Sequence, residues 1–141
     1  MYALRLHCTE AILENMEFLQ RAFAALPPSD ITVEQRIEAL RVQCNDMDTG
    51  IWIAPPESPN LLCVATINMD FVGRRLCHVW CLVALSGAKT KEFIFSTLMP
   101  WCNHFCVDKV QLWDTVGTRQ KARLLTGYGM KKIANVWSLE I

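Results

Sequence analysis

Three stretches of this 141-residue chain hold residue types that do chemistry. Two are sulfur–nitrogen clusters, Cys77-His78-x-x-Cys81 and Cys102-x-His104-x-Cys106. Thiolate and imidazole at close spacing are the ligands of structural zinc. On an extended strand Cys77 and Cys81 share a face while His78 points the other way. On a helix Cys102 and Cys106 share a face and His104 does not. One tetrahedral centre then has a single four-ligand choice, Cys77, Cys81, Cys102 and Cys106, and the expectation is core thiols with no metal. The third stretch is Ser86-Gly87-Ala88-Lys89-Thr90-Lys91, a small and basic turn ahead of a helical pattern. Backbone N–H groups at a helix start, with two ammonium groups beside them, suit an anion.

The bulk of the chain must position these groups. Its 52% hydrophobic and 20% charged residues have the balance of a packed globule, and the length suits one domain over residues 1–141. The longest nearly apolar run, Leu76 to Leu85, is well short of the roughly 20 residues that span a bilayer, so no membrane role is expected. No basic stretch followed by a long apolar one opens the chain. Seven cysteines, an odd number among apolar neighbours, then imply free thiols in a reducing cytoplasm. Net charge is zero but segregated. Residues 1–73 carry 4 Lys/Arg against 10 Asp/Glu, and residues 74–141 carry 10 against 4. A basic half attracts anionic ligands. Nucleic acid is not the expected ligand, because the basic residues are dispersed and Trp80, Trp101 and Trp113 sit within apolar runs as core residues do.

Hydrophobic periodicity supplies the elements. Tyr2 to Leu6 alternates as a short strand. Thr9 caps a helix with the stripe Ile12, Met16, Leu19, Phe23, Leu26, ended by Pro27-Pro28. Thr32 and Gln35 form a capping box ahead of Val33, Ile37, Leu40 and Cys44. Three strands follow, Ile51 to Ala54, Leu61 to Met69 and Leu76 to Leu85, the last apolar on both faces as a central strand is. A helix carries Phe93, Ile94, Leu98, Trp101, Cys102 and Phe105, and Pro100 must kink or split it. A strand from Val107 to Trp113, a short helix from Thr118 to about Thr126 and a strand from Lys131 to Leu139 complete the order. The reading is a mixed α/β (α+β) sheet, β-α-α-β-β-β-α-β-α-β.

That order resembles the GNAT superfamily of N-acetyltransferases over essentially the whole chain. Ala122-Arg123-Leu124-Leu125 with Gly129 is similar to the family's A-x-x-L…G-F segment, with Met130 in the aromatic position. Leu85-Ser86-Gly87 with Phe93, and Val116-Gly117 with Arg123, Leu125 and Gly129, resemble the GNAT-like internal virion proteins of T7-like podoviruses. The resemblance implies acetyl-CoA or another CoA-type ligand, held by Val83, Leu85, Ser86, Gly87, Ala88, Lys89, Thr90, Lys91 and Thr118. It also implies a V-shaped cleft where the strand Leu76 to Leu85 splays from the strand Val107 to Trp113.

The chain departs from the family at the chemistry. The pyrophosphate loop, usually Q/R-x-x-G-x-G/A, has one glycine where two are usual. Leu125 stands where many members have a tyrosine, Thr118 where many have an asparagine, and Leu76 to Leu85 contains no glutamate. His78 and Asp70 are the only nearby groups that could take a proton. The expected function is a binding or assembly protein on a degenerate acyltransferase fold, with a protein partner such as a phage structural protein. The alternative is an active acetyl-CoA-dependent N-acetyltransferase. In a retired scaffold Trp80, Trp113 or Tyr128 should fill the cleft.

Overall fold

In the computed structural model, which describes residues 3–112, five strands form one sheet in the order β1-β2-β3-β4-β5. They are β1 Leu4–Arg5, β2 Thr49–Ala54, β3 Leu61–Met69, β4 Arg75–Ala84 and β5 Lys109–Leu112. β1 to β4 pair antiparallel and β4 pairs β5 parallel. A parallel pair needs a crossover, and the helical run between Thr90 and His104 supplies it. The mixed sheet expected from the sequence is therefore the one formed. The helix and strand expected between Thr118 and Leu139 lie outside the described residues.

Two helical layers cover the sheet. α1 (Thr9–Glu14), α2 (Met16–Ala24) and α3 (Val33–Gln43) lie on one face. They bury Ile12, Leu19, Phe23, Ile37 and Leu40 against Ile51, Ile53, Leu62, Val64, Cys81 and Val83. The other face buries Trp52, Ala54, Leu61, Cys63, Ala65, Cys77, Val79 and Leu82 beneath Phe93, Leu98 and Cys102. Alternation along β2 and β3 divides their side chains between the two layers.

Local chemistry explains the helix ends. The capping box at α3 forms as expected: Gln35 N–H donates to Thr32 Oγ1 at 3.1 Å and Thr32 N–H to Gln35 Oε1 at 2.8 Å. The single first helix read from the apolar stripe is instead two. Asn15 Nδ2 donates to the Ala11 carbonyl at 2.8 Å, taking the acceptor its own backbone N–H would use, and that N–H turns to Ile12 O at 3.2 Å. Cys8, not Thr9, is the N-cap residue of α1. In the crossover, α4 (Thr90–Phe93) and α5 (Met99–His104) flank a π-helical turn, Ile94–Leu98. Pro100 lacks the N–H that would bond Ser96, and the helix widens over that residue.

One irregularity governs the site. Val64 pairs with Cys81 and Ala65 with Val79, so Trp80 is the extra residue that β4 inserts into the register. A bulge of this kind shifts the period-2 register by one. Cys77 and Val79 face α5, whereas Cys81 and Val83 face α1–α3.

Candidate functional site

The bulge corrects the zinc geometry first. Cys77 and Cys81, four residues apart along what looked like a regular strand, lie in opposite layers of the core. Cys106 lies beyond the end of α5, exposed and with φ of 54°, whereas Cys102 is buried. The one four-cysteine set the spacing allowed is thus not brought together, and the described residues contain no group of three or more metal-ligating side chains. Burial pushes the Cys63 thiol well up, helped by neighbouring Cys81 and Cys102. A hydrogen bond with Cys102, together with burial, likewise pushes the Cys77 thiol far above the ordinary thiol range. Neutral thiols of this kind neither attack nor ligate.

The turn after β4 has a defined build. Ala88 N–H closes on Leu85 O at 3.0 Å around Gly87, whose φ of +80° suits glycine. Asn60 fixes the turn from below: its backbone carbonyl accepts Leu85 N–H at 2.8 Å and its Nδ2 donates to Ser86 O at 3.3 Å. Lys89 is the N-cap residue, and its side chain makes no capping hydrogen bond. Phe93 N–H returns to Lys89 O at 3.0 Å, so the N–H groups of Thr90 and Lys91 precede the first backbone bond of the helix. A cavity of about 800 Å³ at this helix start is lined by Ala88, Lys89, Thr90, Lys91, Glu92, Phe95 and Ser96.

The expected cofactor residues divide around this cavity. Ala88, Lys89, Thr90 and Lys91 line it. Ser86 and Gly87 are exposed in the preceding turn, Leu85 is half-buried and Val83 is in the core. Thr118 lies outside the described residues. Sequence reasoning missed Phe95, Ser96 and Asn60. The first two sit three and four residues after Glu92, hence on its side of the helix, and that spacing was there to be read. Nothing local marked Asn60, which reaches the turn from 26 residues away.

A second cavity, of about 730 Å³, opens on the α1–α3 side. Val64, Thr66, Trp80 and Cys81 form its floor, Phe23, Arg36 and Leu40 its helical wall, and Asp46, Met47 and Asp48 its rim. Trp80, expected in the core, is 51% exposed here. Its Nε1 donates to Thr66 Oγ1 at 2.7 Å, and its ring stacks on His78 at 5.7 Å and 20°. Desolvation lowers the His78 pKa from 6.5. Described pairing of β4 with β5 runs from Leu76↔Lys109 to Val79↔Leu112, one residue short of the bulge. Trp113 and Tyr128, the other expected fillers of the cleft, lie outside the described residues.

A meander of antiparallel strands, a parallel fifth strand after a helical crossover, and a turn feeding a helix N-terminus define the GNAT acetyltransferase fold. Solved structures of that fold align with this chain almost end to end. Glucosamine-6-phosphate N-acetyltransferase from Arabidopsis thaliana is 16% identical, at a TM-score of 0.67 over 99% of this chain and 97% of its own. Ribosomal-protein-alanine N-acetyltransferase from Brucella melitensis biovar Abortus is 12% identical, at 0.71 over 100% of both chains. An aminoglycoside 6'-N-acetyltransferase from Acinetobacter haemolyticus is 7% identical, at 0.75 over 100% of this chain and 98% of its own. No family model and no curated protein matches the sequence. Identities this low establish the fold and leave the activity to the site.

Proposed function

We propose that this chain binds an acyl-CoA at the turn after β4 and transfers its acyl group to an amine. The cavity at the start of α4 carries the proposal: the N–H groups of Thr90 and Lys91 in the first turn of the helix, with the Lys89 and Lys91 ammonium groups beside them, suit a diphosphate. Among the described residues Glu92 is the one carboxylate in the same wall, and the two lysines outnumber it. CoA would supply an activated acyl thioester, and the protein's part is to hold it and receive the acceptor. The acceptor reaches the sheet through the second cavity, where Asp46 and Asp48 favour a cationic group. Trp80 supports this reading because it lines that cavity instead of plugging the sheet, as it would in a retired scaffold.

A melting experiment tests the ligand. Acetyl-CoA that binds only the folded chain raises its melting temperature by mass action. Lys89→Ala with Lys91→Ala should weaken binding by about tenfold, two exposed ion pairs' worth. No rise at millimolar acetyl-CoA rejects the cofactor.

One observation favours a second reading, an assembly protein of the phage virion type. The β3–β4 hairpin presents Met69, Phe71 and Val72 at 67%, 104% and 70% exposure, an apolar tip suited to a protein partner. Under that reading acetyl-CoA leaves the melting temperature unchanged, and Phe71→Ser abolishes capture by the partner.

A further inference from the structure

A protonated amine has no lone pair with which to attack a thioester, so the nitrogen that is acylated must be neutral when it reacts. The acidic rim of the second cavity selects the opposite form. Asp46 and Asp48 are exposed at its mouth, and neither carboxylate has a hydrogen-bond or ion-pair partner among the described residues. The backbone that bears them is fixed. Thr49 N–H closes on Asp46 O at 3.1 Å, and Ile67 N–H donates to Asp48 O at 2.8 Å. Arg5 Nη2 donates to the Met47 and Thr49 carbonyls at 3.3 and 2.7 Å.

Register sets this rim apart from the strand that leads to the cofactor turn. Asp48 lies beside Ile67 on β3, and Ile67 pairs with Cys77 on β4. Two strand spacings, roughly 10 Å, therefore separate Asp48 from β4. Phe23, Leu40 and Val64 give the same cavity an apolar lining, and Trp80 brings it to β4. Thr49 lies on the floor, paired with Thr66, whose Oγ1 accepts Trp80 Nε1–H. Thr49 is only 5% exposed, yet its hydroxyl makes no hydrogen bond among the described residues. A buried hydroxyl left in that state is a place for a ligand N–H. Arg36 is the one cation among the described lining residues. Its guanidinium lies over the Phe23 ring at 6.0 Å with Nη2 3.4 Å from Ser29 Oγ, two turns of α3 ahead of Gln43 and the rim.

We propose that the acceptor is a linear diamine: Asp46 and Asp48 hold one end as an ammonium while the other, uncharged, is acylated beside β4. The inference rests on the acyl-CoA reading above. The free amine nitrogen bonds to the thioester carbonyl carbon. The C–S bond breaks with its electron pair on sulfur, and the proton lost by nitrogen reaches the thiolate through solvent. The held ammonium keeps its proton throughout. Acylation turns one end into a neutral amide, so the product no longer offers the rim a charge while presenting a second amine, and transfer stops at one acyl group.

The test uses the full chain with acetyl-CoA and three acceptors of matched length, octamethylenediamine, n-octylamine and ω-aminooctanoate, with products read by mass spectrometry. The diamine should exceed the monoamine in kcat/KM by about tenfold, two exposed ion pairs' worth, and should give the monoacetylated product. Asp46→Asn with Asp48→Asn should remove that preference, and Thr49→Val should reduce it. The acetyl-CoA-induced rise in melting temperature should persist in both variants. A monoamine that reacts as fast as the diamine overturns the proposal, as does a preference that survives in the Asp46→Asn, Asp48→Asn chain. Faster reaction of ω-aminooctanoate makes Arg36 the recognising charge and overturns it too. So does a chain that binds acetyl-CoA and acetylates none of the three. A chain that binds no acetyl-CoA overturns the acyl-CoA reading itself, and the diamine falls with it.

Discussion

The two faces of the sheet are built on opposite principles. Beneath α4 and α5, aromatic rings close on one another: Trp52 meets Phe93 at 6.1 Å and Trp101 at 4.9 Å, both edge-on, and Trp101 meets Phe105 at 5.2 Å. A Cβ at Gly50 would fall inside the Trp52 ring, so glycine is needed there for the indole to lie flat along its own strand. Beneath α1–α3 the core is as apolar, but it stops short of Trp80 and leaves a cavity with polar walls. Packing has priority on one face and access on the other. The bulge at Trp80 is where β4 changes which face each of its residues serves.

Truncation gives the largest contrast. Phe93 is fully buried at the centre of the aromatic face, and Phe93→Ala should cost about 3–5 kcal/mol in urea unfolding. Trp80→Ala removes a larger ring that is half in water and should cost no more than about 1.5 kcal/mol, chiefly the hydrogen bond to Thr66. Equal costs would mean that Trp80 is a core residue and that the open face is closed in solution.

Much of this division was legible in the residues. The period-2 run Leu61 to Met69 is β3 to the residue, and the Thr32–Gln35 capping box fixed the start of α3. The small basic turn overlaps the wall of one cavity. Illegible were the features in which a distant atom decides. Nothing in Cys77-x-x-x-Cys81 announces that the register shifts at Trp80, because a bulge is a property of two strands and the spacing belongs to one. Trp80 sits in an apolar run, as a core tryptophan would, and only the bulge and Thr66 turn it outward. Asn60 is equally silent, since its partner is another segment's backbone.

Thiol reactivity sharpens the comparison with a smaller perturbation. Cys63, Cys77 and Cys102 lie in the closed layer, and Cys44 and Cys81 are buried in the other. Cys106 is exposed and Cys8 half-buried. A disulfide-exchange reagent should modify Cys106 first and Cys8 next in the native protein, and all seven cysteines once urea is added without reductant. Rapid native reaction of Cys81 with Cys63 still protected would show that the cavity beside Trp80 opens to the strand itself. A total below seven would reveal a disulfide and overturn the expectation of a reducing compartment.

The smallest effect belongs to the hairpin that joins β3 to β4. Among the described residues Thr49 is the one buried polar side chain, so neither face holds a buried carboxylate to titrate in acid. Asp70 is different. Desolvation, the largest single influence on it, raises its pKa, but the N–H groups of Arg74 and Val72 and the Arg74 guanidinium outweigh this and hold the pKa below 3.8. A carboxylate depressed by folding contributes stability that is complete above its unfolded pKa and is lost as pH falls through the folded one. Thermal melts from pH 6 to pH 2 should therefore show a small loss below about pH 4 in the parent that Asp70→Asn does not share. The amide oxygen of the variant can still accept the two backbone N–H bonds, whereas its Nδ2 cannot accept Arg74 Nε–H, so the difference reports the loss of the ion pair with Arg74. If both proteins lose stability in parallel, the acid-sensitive group lies elsewhere. The hairpin then holds Phe71 and Val72 outward by backbone geometry alone, through Gly73 with its φ of +84°.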